Sequence, residues 1–157
     1  QFQEFLPDLL TNYHQGDTPT KIRVLDRGSQ VIEASRHVFD DDKKEVLLFG
    51  SMEPYVSILG EDGYHQIAAE RIERGITLKA LLFPGPITDW MKSRPASDGR
   101  EVRLLSNADP FVTSFQSSTR AAFIFQPNVP LVLLIEDQFI VQMLRSMFMM
   151  LWKQAKT

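Results

Sequence analysis

Apolar residues recur along this chain with two periods, and the periods divide it into helices and strands. Phe2, Phe5, Leu6, Leu9, Leu10 and Tyr13 follow the spacing of one helical stripe. Gly16, Asp17 and Pro19 break it. Segment 1–15 reads either as a helix packed on its own domain or as the end of a connecting or dimerising helix. Residues 21–26 alternate as a strand. Val31, Ala34 and Val38, with Ile32, Ser35 and Phe39 beside them, return to helical spacing. The acidic run Asp40, Asp41, Asp42 closes that segment as a solvated turn. Residues 45–50 form a nearly continuous apolar strand, the pattern of a strand covered on both faces. A helix over 62–75 carries the stripe Tyr64, Ile67, Ala68, Arg71, Ile72, with Asp62 placed to cap it and Gly75 to stop it. Strands over 76–83 and 101–106 flank a polar stretch, 85–100, that contains one short helical turn near 89–92. Residues 107–118 read as loop. Strands over 119–126 and 131–136, separated by Pro127-Asn128-Val129-Pro130, suit an antiparallel hairpin. The last helix, 137–154, has the stripe Ile140, Met143, Leu144, Met147, Phe148, Leu151, widened by Phe139, Met149, Met150 and Trp152. A stripe that wide is either deeply buried or shared with a partner.

This order of elements predicts an α/β fold: a mixed sheet of about six strands with helices on both faces, preceded by an amphipathic N-terminal helix. A length of 157 residues suits one domain over 20–157 with segment 1–15 as its appendage. Gln1 opens directly into the first stripe, so the chain reads as a piece of a longer protein. No apolar run approaches the roughly 18 residues of a membrane span, and no signal-peptide pattern opens the chain. Charge changes the picture further. With 17 Lys plus Arg against 20 Asp plus Glu the net charge is −3, and no basic run stands out, so the chain lacks the footprint of a nucleic-acid surface. The absence of cysteine removes disulfides, thiolate metal sites and thiol nucleophiles, and fits a cytoplasmic protein.

Candidate chemistry is sparse. Gly50-Ser51 follows a strand, but Pro54 stands where the helix of a nucleophile elbow would have to be running. No glycine-rich phosphate loop occurs. His14, His37 and His65 are not at metal-ligand spacing, so neither a metal nor a cofactor is expected. What remains are polar residues just after strand ends, Ser51 and Glu53, then Ser106 and Asn107, where α/β sheets bind ligands. Ser51 reads equally as the cap of a short helix over 53–58. Arg71 on an apolar face needs a partner: a carboxylate such as Glu53 or Glu70, water reached by snorkelling, or a ligand.

The ordered series of segments resembles the C-terminal effector-binding domain of TrmB-like transcriptional regulators, a group that includes sugar-sensing archaeal repressors. The carrying segments are Phe5-Leu6-Pro7-Asp8-Leu9-Leu10, Lys21-Ile22-Arg23-Val24-Leu25-Asp26, Val46-Leu47-Leu48-Phe49-Gly50-Ser51-Met52-Glu53 and Glu70-Arg71-Ile72-Glu73-Arg74-Gly75-Ile76. A hairpin, Ile135-Glu136-Asp137 and a helix closing at Leu151-Trp152 follow. The resemblance implies a phospholipase D-like fold and a winged-helix DNA-binding domain upstream of this chain. Catalytic members of that fold carry His-x-Lys-x4-Asp; His14, His37 and His65 all lack the pattern. The reading is therefore a non-enzymatic module that binds a small-molecule effector and forms a homodimer, touching DNA only through the upstream domain. Ser51, Glu53, Arg71 and Asn107 are the expected ligand contacts. Phe5, Leu9, Met143 and Met147 are the expected dimer contacts. Two alternatives stand beside it: a hydrolase of the same fold using a non-standard residue set, and a pure dimerisation module.

Overall fold

The computed structural model describes residues 21–26, 30–106, 108–129 and 131–156. The segment 1–15, with Phe5 and Leu9, lies outside them. The elements are β1 (Ile22–Leu25), α1 (Gln30–Phe39), β2 (Glu45–Gly50), α2 (Glu53–Glu73), β3 (Thr77–Leu82), α3 (Pro86–Ser93), a single 3-10 turn (Ala96–Asp98), β4 (Arg100–Leu104), β5 (Ser114–Ser117), β6 (Ala122–Gln126), β7 (Leu131–Ile135) and α4 (Gln138–Gln154).

All seven strands join one sheet in the order β1-β7-β6-β5-β2-β3-β4. Strands β2, β3 and β4 run parallel, connected by the crossover helices α2 and α3. From β2 outward through β5, β6, β7 and β1 every pairing is antiparallel. The continuous apolar run of β2 is explained by this placement: it is the junction strand, covered on both faces, with Val46, Leu47 and Leu48 all buried. One face carries Val46, Leu48, Leu78, Ala80, Leu82, Phe123, Phe125, Val132 and Leu134 against α1, α2 and α3. The other carries Leu47 and Leu81 against Phe148 and Trp152 of α4, with Val141 packed on Ala122 and Ile135. Asp137 starts α4 by accepting from the amides of Phe139 and Ile140, both at 3.0 Å.

The structure differs from the sequence expectations in four places. The sheet has seven strands rather than about six, because β5 lies within the stretch read as loop. Its residues Ser114, Gln116 and Ser117 are polar yet buried, so hydrophobic alternation gives no signal there. The helix expected over 62–75 is the second half of α2, which begins at Glu53 and is interrupted at Gly60 (φ 73°, ψ 163°). The short turn near 89–92 is the full helix α3, begun by Pro86 just inside its first turn. The acidic run is not simply solvated: Asp41 is buried and accepts from the amides of Lys43 and Thr119 and from the Thr119 hydroxyl. Burial pushes its carboxyl up, but these hydrogen bonds outweigh that and hold it below the usual carboxylate range.

Candidate functional site

The parallel strands have two ends, and the predicted site residues divide between them. At the carboxyl end, β2 stops at Gly50 with φ 112°. A Cβ there would collide with the Thr113 carbonyl, so only glycine lets the 111–113 segment before β5 close down on the strand end. That segment covers the strand end. The Ser51 amide donates to Thr113 O at 3.4 Å, and the Ser51 hydroxyl donates to Phe111 O at 2.5 Å. The Phe111 ring meets Phe83 edge-on with centroids 4.7 Å apart and Phe49 at 5.7 Å. Ser51 is thus neither a helix cap nor an open hydroxyl. The cap position of α2 is Met52, with no side-chain hydrogen bond.

Glu53 does a structural job at the same end. Its Oε1 accepts from the Ile87 amide at 3.2 Å and so caps the N-terminus of α3 across space. Gly85 packs against that carboxylate so closely that a Cβ would overlap it. Asn107 lies outside the described residues.

Arg71 is at the amino end, in the last turn of α2, and is 3% exposed. The carboxylates named as its candidate partners are engaged elsewhere: Glu70 holds Arg36 at 2.7 Å and Glu53 caps α3. Arg71 instead donates through Nη1 to Ile76 O at 2.7 Å and through Nη2 to Asp98 O at 2.8 Å. Two carbonyls satisfy donors without neutralising the charge. Burial, with the positive charge of Arg100 next, pushes its pKa down to about 10.

Arg71 and Arg100 line the same cavity of about 40 Å³ between the sheet and α1 to α3, with Tyr55, Tyr64 and Gln116 supplying further polar groups. Tyr55 ties one side together: its hydroxyl lies 2.9 Å from Ser35 Oγ and also bonds Gln116. Burial raises the phenols of Tyr55 and Tyr64, and the Arg100 charge draws Tyr64 part of the way back. Reasoning from the sequence missed Arg100, Tyr55, Tyr64 and Gln116. A signal existed for Arg100, since it shares strand parity with buried Val102 and so faces the helices. Gln116 had none.

The remaining candidates lie apart. His37 sits 3.2 Å from Glu136, and His65 is 3.8 Å from Glu61 with its ring 5.7 Å from Trp90. Among the described residues no three His, Cys, Asp or Glu side chains are grouped to hold a metal. Nor is any helix among them long and apolar enough to cross a membrane. On α4, Met143 and Met147 are 54% and 52% exposed, in line with exposed Phe139, Met150 and Leu151.

No family model and no curated protein matches this chain. Solved structures do match. TrmBL2, an archaeal chromatin protein whose structure shows a mode of DNA binding, is 18% identical with a TM-score of 0.61; the match covers 98% of this chain and 60% of TrmBL2. The phospholipase D family member Nuc from Salmonella typhimurium is 12% identical with a TM-score of 0.59, covering 87% of this chain and 95% of Nuc. NucT from Helicobacter pylori is 10% identical with a TM-score of 0.58, covering 86% and 97%. The chain therefore has the phospholipase D-like fold, and it spans three fifths of TrmBL2.

Proposed function

We propose that this chain is the effector-sensing and dimerisation module of a TrmB-like transcriptional regulator, and that it performs no hydrolysis. The observation that carries the reading is the state of the carboxyl end. Ser51 and Glu53, the polar residues placed there by β2, are both engaged by the protein itself, and Phe111 packs over the strand end. Neither His37 nor His65 carries the His-x-Lys-x4-Asp pattern of the fold's catalytic members, and each sits on a helix with its ring against a glutamate. Sensing has a different location available, the cavity beside Arg71. Dimerisation has the apolar face of α4, whose large exposed side chains fit burial against a second copy. DNA contact is assigned to a preceding domain, since this chain is mildly acidic.

The test uses the purified chain in three assays. Turnover of a phosphodiester that disappears in His65→Ala would overturn the non-enzymatic reading. Light scattering at tens of micromolar is expected to give a dimer that Met147→Asp converts to monomer. A thermal-shift screen of small metabolites, compact carboxylates first because the cavity beside Arg71 holds only about 40 Å³, is expected to find one stabilising compound whose effect Arg71→Ala removes.

A further inference from the structure

Arg100 carries the most informative unsatisfied chemistry in the described residues. Its Nε and Nη1 are shielded from solvent and have no hydrogen-bond partner. Its guanidinium lies over the Trp90 ring at 5.6 Å, and Arg94 lies over the same ring at 5.4 Å. A cation–π contact uses the face of the guanidinium, and the hydrogen bond to the Tyr64 phenol leaves Nε and Nη1 still unanswered. Arg71 borders the same cavity with its charge balanced only by carbonyl dipoles. Among the described residues no carboxylate lines that cavity. The nearby acid, Asp98, attracts Arg71, but its carboxylate is paired with Arg94 at 3.1 Å.

Two guanidinium groups thus face one small space with no protein anion between them. Arg71 is buried and Arg100 half-buried, and a charge withdrawn from water without a counter-charge is unfavourable. Water can answer the donors but not the charge. A site of this kind takes up about 10–15 Å³ per water, so 40 Å³ holds two or three waters or one small ion. We propose that the cavity between Arg71 and Arg100 is a binding site for one small monovalent anion, a halide or a compact carboxylate. The anion accepts from Arg100 Nε and Nη1, with the phenol of Tyr64 at the rim. Tyr55, Gln116 and the apolar lining exclude larger, polyvalent ions by size and by the cost of stripping their hydration. The inference rests on the cavity and not on the regulator reading: a bound anion that leaves the oligomeric state unchanged would keep the one and weaken the other.

The first experiment is a crystal of the unmodified protein grown in bromide. An anomalous peak between Arg71 and Arg100 is expected, weakened when formate is added at constant bromide if a carboxylate competes for the place. A map without that peak overturns the proposal and leaves the cavity to water. The second is thermal melting at fixed ionic strength while bulky gluconate is exchanged for chloride, bromide or formate. The melting temperature should rise with the logarithm of anion concentration once the site is mostly filled. In Arg100→Gln the concentration that gives the same shift should increase by about tenfold or more, and Arg100→Lys, which keeps the charge but loses the planar donors, should fall between. A shift that stays linear in concentration, or one that is unchanged in Arg100→Gln, would refute the site.

Discussion

The two ends of the parallel strands solve opposite problems. At the carboxyl end every polar group that looks functional is used to close the chain on itself: Ser51 holds Phe111, and Glu53 holds α3. At the amino end Arg71 and Arg100 are brought together with too few partners for two positive charges. Residue type and position after a strand end therefore say less about a binding site than an account of which donors and charges remain unmatched. The phospholipase D-like scaffold of this chain is tight where ligands are expected and open where helices meet the sheet.

The sharpest way to break this contrast is at the glycines. Gly50→Ala should cost about 3–4 kcal/mol in urea unfolding, because a left-handed residue with a Cβ must also displace the Thr113 backbone. Gly99, at the amino end, also has a positive φ of 67°, but its nearest contact for a Cβ is the Arg71 side chain at 3.8 Å. Gly99→Ala should cost about 1 kcal/mol. Equal losses would erase the difference between a packed end and an open one.

Next in size is Arg71→Met. It leaves the carbonyls of Ile76 and Asp98 without their donors, and a loss of about 2–3 kcal/mol is expected from the same measurement. A neutral result would mean that relief of the repulsion with Arg100 offsets both bonds.

The capping role of Glu53 predicts a smaller loss, about 1 kcal/mol for Glu53→Ala. Gly85→Ala should cost a similar amount by displacing the same carboxylate, and almost nothing in the Glu53→Ala background. Additive losses in this double-mutant cycle would show that the two residues act separately.

The smallest effect is a pH dependence. The folded state holds the Asp41 pKa below its unfolded value, so its contribution is complete above the unfolded pKa and is lost as pH falls through the folded one. Asp41→Asn should flatten the acid side of the stability–pH curve and leave its neutral-to-alkaline slope unchanged. Acid unfolding of the two proteins, monitored by circular dichroism, measures the difference.

Most elements were legible because period and burial coincide. Val31, Ala34 and Val38 had to face a core, and the hairpin of β6 and β7 is written in its prolines and flanking apolar runs. Strand β5 was not legible, because Ser114, Gln116 and Ser117 are held between β2 and β6 by backbone pairing and not by apolar side chains. Arg71 announced itself as a charge on an apolar stripe. Arg100 showed only the strand parity it shares with Val102; that it meets Arg71 was not legible, because the two are distant in sequence and are joined by the pairing of β4 with β3.

The sequence by itself determined the α/β alternation, the wide apolar stripe of α4 and the placement of Arg71 on an apolar helix face, since each follows from local spacing; that Arg71 is buried was decided by the tertiary structure. Only the tertiary structure decided which polar groups are satisfied. Hydrogen-bond partners such as Phe111 O for Ser51 and Ile87 N for Glu53 come from segments distant along the chain. Charge balance around Arg71 and Arg100 depends on three-dimensional distance, which spacing along the chain does not encode.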